Sequence, residues 1–433
     1  MIHYFTSNGI GNAWVANELS VVRKAQIPFV LNALRKAESS FHRAAWAQKL
    51  NDETIEIYPL PLIGTLVSIL AAPFLFRQRF FAGLGNALVG RRESLRSRLV
   101  CFMHFWVACH WARIHRREPI SHIHSQWAHS CCSVAMYAAW LLAKPYSFTG
   151  HGADLWRDRV ALEDKIKRAD FIACISNFHR ELYLKHGAKP EQLHIVYCGI
   201  DVDQFSPPNE ADKPRDGRVR IRSSGRLVEK KGFIYLIEAC RILADRGLDF
   251  ECTIAGNGPL EEALRESIRA LKLGDRVTMT GEALKQEDIP AFAHSGTVYC
   301  LPCVWASDND ADGLPQMLME SMASGLPAIS TRLVGIPDLI VDGETGLLVE
   351  PNNAEQIADA IQRIAGDRAL AERLAEAGRD HILKNFELET ALQPLMDYYR
   401  RQLSRPQKTF NPESNDSTGM KTAGSIHHGP VLR

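Results

Sequence analysis

Short apolar runs alternate with amphipathic helical stretches along most of this chain, and this alternation constrains its fold more than any other feature. In the first half the runs have the pattern of buried strands at 27–34, 120–124, 146–149, 171–175 and 194–197. A second series occupies 219–223, 250–255, 276–280, 298–301, 328–331 and 347–349, with helix candidates at 233–245 and 260–271. Strands that alternate with helices form parallel sheets, so the sequence predicts an α/β fold made of two doubly wound halves.

The length of the chain agrees with two halves, because 433 residues are too many for one compact core. We predict a first Rossmann-like domain over 1–205 and a second over 206–384. A helical pattern follows at 385–404, and the polar residues 405–433 are predicted to be a disordered tail. Ligands of open α/β sheets bind beyond the carboxyl ends of the strands, so we expect the site in a cleft between the two domains.

Composition excludes several classes of protein. A formal net charge of +1 argues against a general nucleic-acid binder. The ten cysteines lie mostly in apolar segments, and with no secretory signal at the N-terminus we expect a reducing cytosol. Cys300 and Cys303 flank a proline, which favours burial over a metal or redox role. His122, His124 and His129 lack the spacing of a ligand set, so no metal is expected.

The segment D-G-L-P-Q-M-L-M-E places a carboxylate at each end of a loop that leads into a helix, Asp312 and Glu320. The first carboxylate can accept hydrogen bonds from sugar hydroxyls, and the second can accept them from a ribose. Backbone N–H groups between the two acids can face a diphosphate. The alternative is an amphipathic helix whose acids lie in its N-terminal turns because the helix dipole favours them there.

Three further motifs in fixed order make the chain similar to a known family. They are G-R-L-V-E-K-K-G at 225–232, A-G-N-G-P-L at 255–260, and the segment from 281 through V-D-G-E-T-G-L-L-V-E-P at 341–351. With the acidic segment, they resemble the GT-B glycosyltransferases of family 4, a retaining group that includes bacterial exopolysaccharide and colanic-acid enzymes. The family's usual motif has Glu where Asp312 stands here. Pro315 is a second departure, since it has no N–H to donate.

The resemblance implies a function for each part of the chain. The first domain would bind the acceptor, the second would bind a nucleotide sugar, and helix 385–404 would pack back on the first domain. The expected activity is a metal-independent hexosyltransferase that moves a sugar with retention to a glycan or polyprenyl-linked acceptor. No cofactor and no nucleic-acid partner are expected, and the nucleotide-diphosphate sugar is a substrate. The expected location is the cytoplasm.

The resemblance also implies site residues. The four assigned to catalysis are His151, Asp312, Arg226 and Lys231. Donor contacts are expected from Arg226 and Lys231 again, together with Gly9, Gly11, Gly313, Leu314, Gln316 and Glu320. A plain turn explains Gly9 and Gly11 equally well. The alternative for Arg226 and Lys231 is a solvated pair like their neighbour Lys230, and 256–259 is as well explained by a structural turn as by donor contact.

An unusual insertion at 59–117 lies within the first domain. Residues 59–76 carry no charge, and 77–117 contain nine arginines against one acid, interleaved with aromatic residues. This composition is typical of a basic amphipathic surface that binds anionic lipid, so we hypothesise peripheral contact with a cytoplasmic membrane leaflet. The alternative is a helical hairpin buried against the first sheet with a solvated basic edge.

Two other functional classes stay open at this point. A related GT-B enzyme, such as a phosphorylase or a sugar-nucleotide epimerase, would have similar motifs. A phosphorylase would show the absorbance of bound pyridoxal phosphate. A non-catalytic, membrane-associated scaffold could also retain the fold, and detectable donor hydrolysis or transfer would argue against it.

Overall fold

The computed structural model describes residues 1–37, 45–208 and 217–406, and it contains two parallel β-sheets. The strands of the first sheet are β1 (Ile2–Thr6), β2 (Phe29–Ala33), β3 (Ile55–Glu56), β4 (His122–Gln126), β5 (Tyr146–Gly150), β6 (Phe171–Cys174) and β7 (Leu193–Ile195). Their order is β3-β2-β1-β4-β5-β6-β7. In the centre of the sheet, Tyr4 of β1 is in register with Leu31 of β2 and His124 of β4.

The second sheet has six strands. They are β8 (Val219–Ser224), β9 (Phe250–Ala255), β10 (Val277–Met279), β11 (Val298–Leu301), β12 (Ala328–Thr331) and β13 (Leu347–Val349). Their order is β10-β9-β8-β11-β12-β13, so the winding reverses between β8 and β11 just as it reverses between β1 and β4 in the first sheet. A crevice opens at the carboxyl ends of the strands where the order reverses, and that is where ligands of such sheets bind. The predicted α/β fold with two doubly wound halves is confirmed.

Helices cover the sheets. Those before the second sheet are α1 (Ala13–Lys24), α2 (Ala45–Glu53), α3 (Leu62–Val89), α4 (Leu95–His115), α5 (Ser130–Leu142), α6 (Ala153–Trp156), α7 (Leu162–Arg168) and α8 (Asn177–Lys185). The later ones are α9 (Phe233–Asp245), α10 (Glu261–Ala270), α11 (Ile289–His294), α12 (Gln316–Ala323), α13 (Ile336–Leu339), α14 (Ala354–Gly366), α15 (Arg368–Asn385) and α16 (Leu388–Ser404).

Every predicted strand overlaps an observed one, but two observed strands were not predicted. β1 is fully buried although it carries His3, whose ring packs edge-on against Trp111 at 5.2 Å. This polar residue interrupts the apolar run that identifies a central strand. β3 has only two residues at the sheet edge, too few for any pattern to be recognised.

The last described helix joins the two halves of the chain. The backbone at Ile200 exchanges hydrogen bonds with Phe386 (2.9 Å) and Leu388 (3.0 Å). From there α16 runs over the first sheet, where Leu395 and Tyr399 are fully buried among residues of β1 and α1. Residues 407–433, which make up nearly all of the predicted disordered tail, lie outside the described residues.

The insertion at 59–117 folds mainly into α3 and α4, which pack on each other. Ser68 of α3 lies 2.9 Å from the imidazole of His110, and α4 buries its opposite side against α5. By length and composition α3 could cross a membrane, although Pro73 lies within it and its backbone kinks at Arg77. Only 17% of its most apolar window is buried.

The outer surface of this hairpin is apolar. Its side chains, many of them more than half exposed, are Leu62, Ile63, Leu66, Val67, Leu70, Phe74, Phe81, Leu88, Val89, Leu95, Leu99 and Met103. We call this set the outer hairpin face. The basic character of the hairpin is weaker than its composition suggests, because Arg92 is buried and pairs with Asp164. The hairpin is therefore packed on one side and apolar on the other.

Candidate functional site

Asp312 lies between two lysines at the carboxyl edge of the second sheet. Its carboxylate is 3.2 Å from the ammonium nitrogen of Lys230 and closer still to that of Lys231. The lysines belong to the loop after β8, and Asp312 belongs to the loop after β11. Because β8 and β11 are neighbouring parallel strands, their carboxyl ends bring the two loops together.

The charges of this cluster stabilise one another. Burial alone would raise the pKa of Asp312, but Lys231 and Lys230 hold it below its usual value. Conversely, Asp312 raises the pKa of Lys231 against the effect of burial. The carboxylate is therefore ionised and both ammonium groups are charged at neutral pH.

The sequence predicts an ordinary surface lysine at Lys230, and this prediction is wrong. It bridges Asp312 and Asp310, with its nitrogen 3.0 Å from the Asp310 carboxylate. Two adjacent lysines in a short 3₁₀ turn, at 229–231, can both reach the same acid. The sequence spacing of Arg226 and Lys231 could not predict the contact between Lys230 and Asp312, because that contact depends on how the two loops meet.

Arg226 lies in the same loop, and its side chain is exposed. The loop is fixed to the A-G-N-G-P-L motif, since the Leu227 N–H donates to the Asn257 carbonyl at 2.8 Å. A Cβ on Gly256 would lie 1.9 Å from the Gly225 carbonyl oxygen. Close backbone packing thus explains the glycine at position 256 of the A-G-N-G-P-L motif, as expected for a structural turn.

His151 faces the acidic loop with its backbone and not with its ring. Its Nε2 donates to the Gln126 side-chain carbonyl at 2.8 Å, and the Gln126 amide donates to buried Glu18 at 2.6 Å. Burial lowers the pKa of His151 to about 4, so the ring is neutral at pH 7. The His151 carbonyl oxygen points at Gly313, where a Cβ would approach it to 2.1 Å.

The turn that holds His151 is fixed from several directions. Asp154 accepts the backbone N–H groups of His151 at 3.1 Å and of Gly152 at 2.7 Å. His179 donates its Nε2 to the His151 carbonyl at 3.2 Å. These hydrogen bonds therefore fix the orientation of the His151 carbonyl toward the second domain.

Glu320 lies on α12 and is buried at the domain boundary. The Gln286 amide lies 3.2 Å from its carboxyl, and burial raises the pKa of Glu320 to about 7. Glu320 and Gln316 line a cavity of about 50 Å³ together with Ala13 and Asn17 of α1. Gln316 and Glu320 of α12 therefore both face the first domain.

The remaining predicted residues occupy different surroundings. Gly9 has a left-handed backbone, φ 59°, and packs against Asn51 and Thr54 of the first domain. The Gly11 N–H donates to the Asn8 carbonyl at 3.1 Å, which closes a turn at the end of β1. Leu314 is half-buried against the core of the second domain.

Further contacts hold the domains together around this site. The Arg157 guanidinium lies 2.7 Å from Asp308, and the backbone N–H of Asn177 donates to Asp338 at 2.7 Å. Within the parts of the chain that the structure describes, no three His, Cys, Asp or Glu side chains are grouped so that they could hold a metal ion.

Comparison with known families gives a match to each half of the chain. Residues 71–204 match the family described as Glycosyltransferase Family 4, and residues 208–381 match the one described as Glycosyl transferases group 1. Together the two matches span most of the chain.

Two curated relatives are named for the biosynthesis of amylovoran and of colanic acid. The amylovoran biosynthesis glycosyltransferase AmsK of Erwinia amylovora is 32% identical over 58% of this chain and 62% of its own length. The putative colanic acid biosynthesis glycosyltransferase WcaL of Escherichia coli K12 is 37% identical over 52% of this chain and 53% of its own length. The chain thus spans less than two thirds of these two relatives.

Among solved structures, Anabaena HepE in complex with UDP superposes with a TM-score of 0.70. The superposition covers 92% of this chain and 99% of HepE at 14% identity. At this identity the likeness establishes the fold.

The approach of Gly313 to His151 leads to a first prediction. In Gly313→Ala the new Cβ would collide with the His151 carbonyl, so the domains should separate. Small-angle scattering should show a radius of gyration larger by about 1 Å than a starting value of roughly 22 Å. Gly366→Ala is the control, because a Cβ there meets no atom within 4 Å. An unchanged radius with an unchanged melting temperature would show that the two segments do not touch in solution.

Proposed function

The chain belongs to the glycosyltransferases of family 4, which have the GT-B fold, and we propose that it transfers a sugar from a nucleotide-diphosphate donor to a glycan or polyprenyl-linked acceptor. The product would be part of a bacterial polysaccharide, as the names of AmsK and WcaL indicate for those proteins. One observation carries the proposal: the ionised Asp312 lies between two lysines and beside the His151 carbonyl, at the boundary of the two domains.

In this proposal the sugar and the diphosphate bind on either side of Asp312. The carboxylate accepts hydrogen bonds from the hydroxyls of the transferred sugar, and the His151 carbonyl accepts another. Lys231 and Arg226 bind the diphosphate, whose negative charge takes the place of Asp312 beside the ammonium group. Lys230 joins them, since it already lies 3.2 Å from the same carboxylate.

The rest of the donor extends along α12. First-turn N–H groups of a helix have no partner within the helix, so those at Gln316, together with Gly313 and Leu314, are available to the diphosphate. Pro315 contributes none. Glu320 accepts from the ribose hydroxyls. Gly9 and Gly11 approach the donor from the first domain, where the absence of a side chain permits close contact.

The transfer step proposed here retains the anomeric configuration without a covalent enzyme intermediate. The bond from the anomeric carbon to the phosphate oxygen breaks, and the acceptor oxygen bonds to that carbon on the same face. The acceptor proton passes to the departing phosphate oxygen. Arg226 and Lys231 stabilise the charge that develops on this phosphate, a role that needs no metal. Asp312 accepts hydrogen bonds from the sugar hydroxyls in this step, so it positions the sugar and does not attack.

The outer hairpin face supports a peripheral position on the cytoplasmic side of the cell membrane. A dozen exposed apolar side chains lie on α3 and α4, and exposed apolar surface of this kind is typical of membrane or partner contacts. Arginines 77, 91, 96 and 117 lie exposed along the same hairpin, where they can meet anionic headgroups. Such a position would bring a polyprenyl-linked acceptor to the cleft.

The donor proposal predicts a specific loss of activity. UDP, GDP and ADP are screened first, and one of them should raise the melting temperature. Asp312→Asn should then lower transfer, or donor hydrolysis, by about 100-fold or more, because the sugar loses its anchoring carboxylate. Asp249→Asn, an exposed acid far from the cleft, should leave the rate unchanged. Full activity in Asp312→Asn, or no response to any of the three nucleotides, would refute the proposal.

The titration of Glu320 predicts how the affinity for the nucleotide sugar depends on pH. Below pH 7 its carboxyl is mostly protonated, and above pH 7 it is a carboxylate that accepts from the ribose. Affinity for the nucleotide sugar should therefore rise up to about tenfold between pH 6 and pH 8. The sugar-linked donor is the right ligand because its diphosphate has no group that titrates in this range.

Calorimetry of two variants checks the source of this dependence. Glu320→Gln should bind with the same affinity at both pH values. Asp170→Asn is the control and should keep the pH dependence, since burial also raises the pKa of Asp170 but this residue accepts the Tyr146 N–H at the start of β5, away from the cleft. A pH dependence that persists in Glu320→Gln would remove Glu320 from the ribose site.

The membrane proposal is checked by sedimentation with anionic vesicles at low salt. The wild-type chain should sediment, and the double variant Ile63→Ser with Phe74→Ser should bind at least about tenfold more weakly because it loses two exposed apolar side chains. Val341→Ser, at an exposed apolar position of the second domain, should bind like the wild type. Failure of the wild-type chain to sediment would remove the membrane from the proposal.

A further inference from the structure

Four rings lie together where the two domains meet, and the transfer proposed above does not use them. Trp156 ends α6, Trp305 lies in the loop after β11, and Phe178 and His179 begin α8. The ring of Trp156 is 5.4 Å from that of Trp305, 6.2 Å from Phe178 and 5.6 Å from His179. We call these four residues the rim cluster.

The rim cluster adjoins the candidate site directly. A Cβ on Gly152, the residue after His151, would lie 3.5 Å from the Trp156 ring and 3.2 Å from the Ala311 carbonyl, one residue before Asp312. His179 also donates to the His151 carbonyl. A ligand on Trp156 would therefore lie next to the sugar held by Asp312.

Two rings of the rim cluster are open to solvent. Trp305 is 42% exposed and Phe178 is 37% exposed. The indole nitrogen of Trp156 is buried beneath them. What the cluster offers a ligand is therefore the apolar ring surface of Trp305 and Phe178.

Charged groups around the rings indicate what kind of ligand fits. Arg157 pairs with Asp308 at 2.7 Å and with Asp158 at 2.8 Å, immediately beside Trp156. A hydrocarbon chain laid over the cluster would strip water from these charges without replacing their hydrogen bonds, which is costly. A sugar ring has an apolar C–H face that packs on an aromatic ring, and its hydroxyls can bond to the charged neighbours.

We propose that the rim cluster is an acceptor subsite that binds a sugar ring of a glycan. Trp156 comes from the first domain and Trp305 from the second, so the subsite is complete only when the domains are closed. The proposal rests on the proposed transferase function and narrows its acceptor: the unit beside the transferred sugar is a saccharide, whether or not a lipid is attached further along.

The test uses the full chain with soluble probes and does not depend on turnover. The probes are the methyl glycosides of glucose, galactose and mannose, disaccharides of these sugars, and farnesyl phosphate as a hydrocarbon probe. Binding is measured by saturation-transfer NMR and by titration, in the presence of whichever nucleoside diphosphate raises the melting temperature. At least one saccharide should bind, and Trp305→Ala and Phe178→Ala should weaken it by about tenfold.

Two controls isolate the subsite. Val341→Ala removes an exposed apolar side chain of the second domain outside the cleft and should leave saccharide affinity unchanged. Nucleotide affinity should be the same in all three variants, because none of these side chains contacts the donor.

Three results would overturn the proposal. One is that no saccharide binds the wild-type chain; the second is that Trp305→Ala and Phe178→Ala bind saccharide as the wild type does. The third is that farnesyl phosphate binds and loses affinity in these variants while saccharides do not. A chain that binds nucleotide normally in any of these cases would keep the transferase function, whereas loss of all nucleotide binding would count against that function itself.

Discussion

The pairing of one carboxylate with two ammonium groups, where two parallel strands end, is the interaction on which the rest of the site depends. Lys230 and Lys231 hold the pKa of Asp312 down against the effect of burial, and Asp312 in turn stabilises the charge of Lys231. Gly313 follows Asp312 directly in the chain, and it is one of the points where the second domain meets the first. The loop at Asp312 and Gly313 therefore both balances the charges of the lysines and contacts the first domain.

This arrangement suits a donor that is itself charged. A diphosphate brings negative charge to cations that already have an acidic partner, so binding exchanges one ion pair for another and avoids burying an unpaired charge. The carboxylate released from the lysines is then free to accept from hydroxyls. Neutral His151 adds no further charge, since burial lowers the pKa of its ring. Gln126 accepts from the ring, and the His151 carbonyl faces Gly313.

The first domain combines this polar boundary with an apolar exterior. Its hairpin turn lies close to the cleft, because Glu93 accepts the backbone N–H groups of Ala161 and Leu162, a few residues after Trp156. A surface that contacts lipid and a cleft that binds sugar would therefore be near neighbours in the fold. The rim cluster combines rings from both domains.

The sequence by itself determined the elements and the chemistry of the second domain. Apolar runs identify strands because burial on both faces requires them, and the order of the motifs fixes the acidic loop and the lysine loop at strand ends. Only the tertiary structure determined which of these residues contact one another. That Lys230 bonds to Asp312, that His151 turns its carbonyl to Gly313, and that Trp156 meets Trp305 depend on contacts between segments more than 70 residues apart. Local pattern carries no information about such distances, because they are set by the packing of whole sheets and domains.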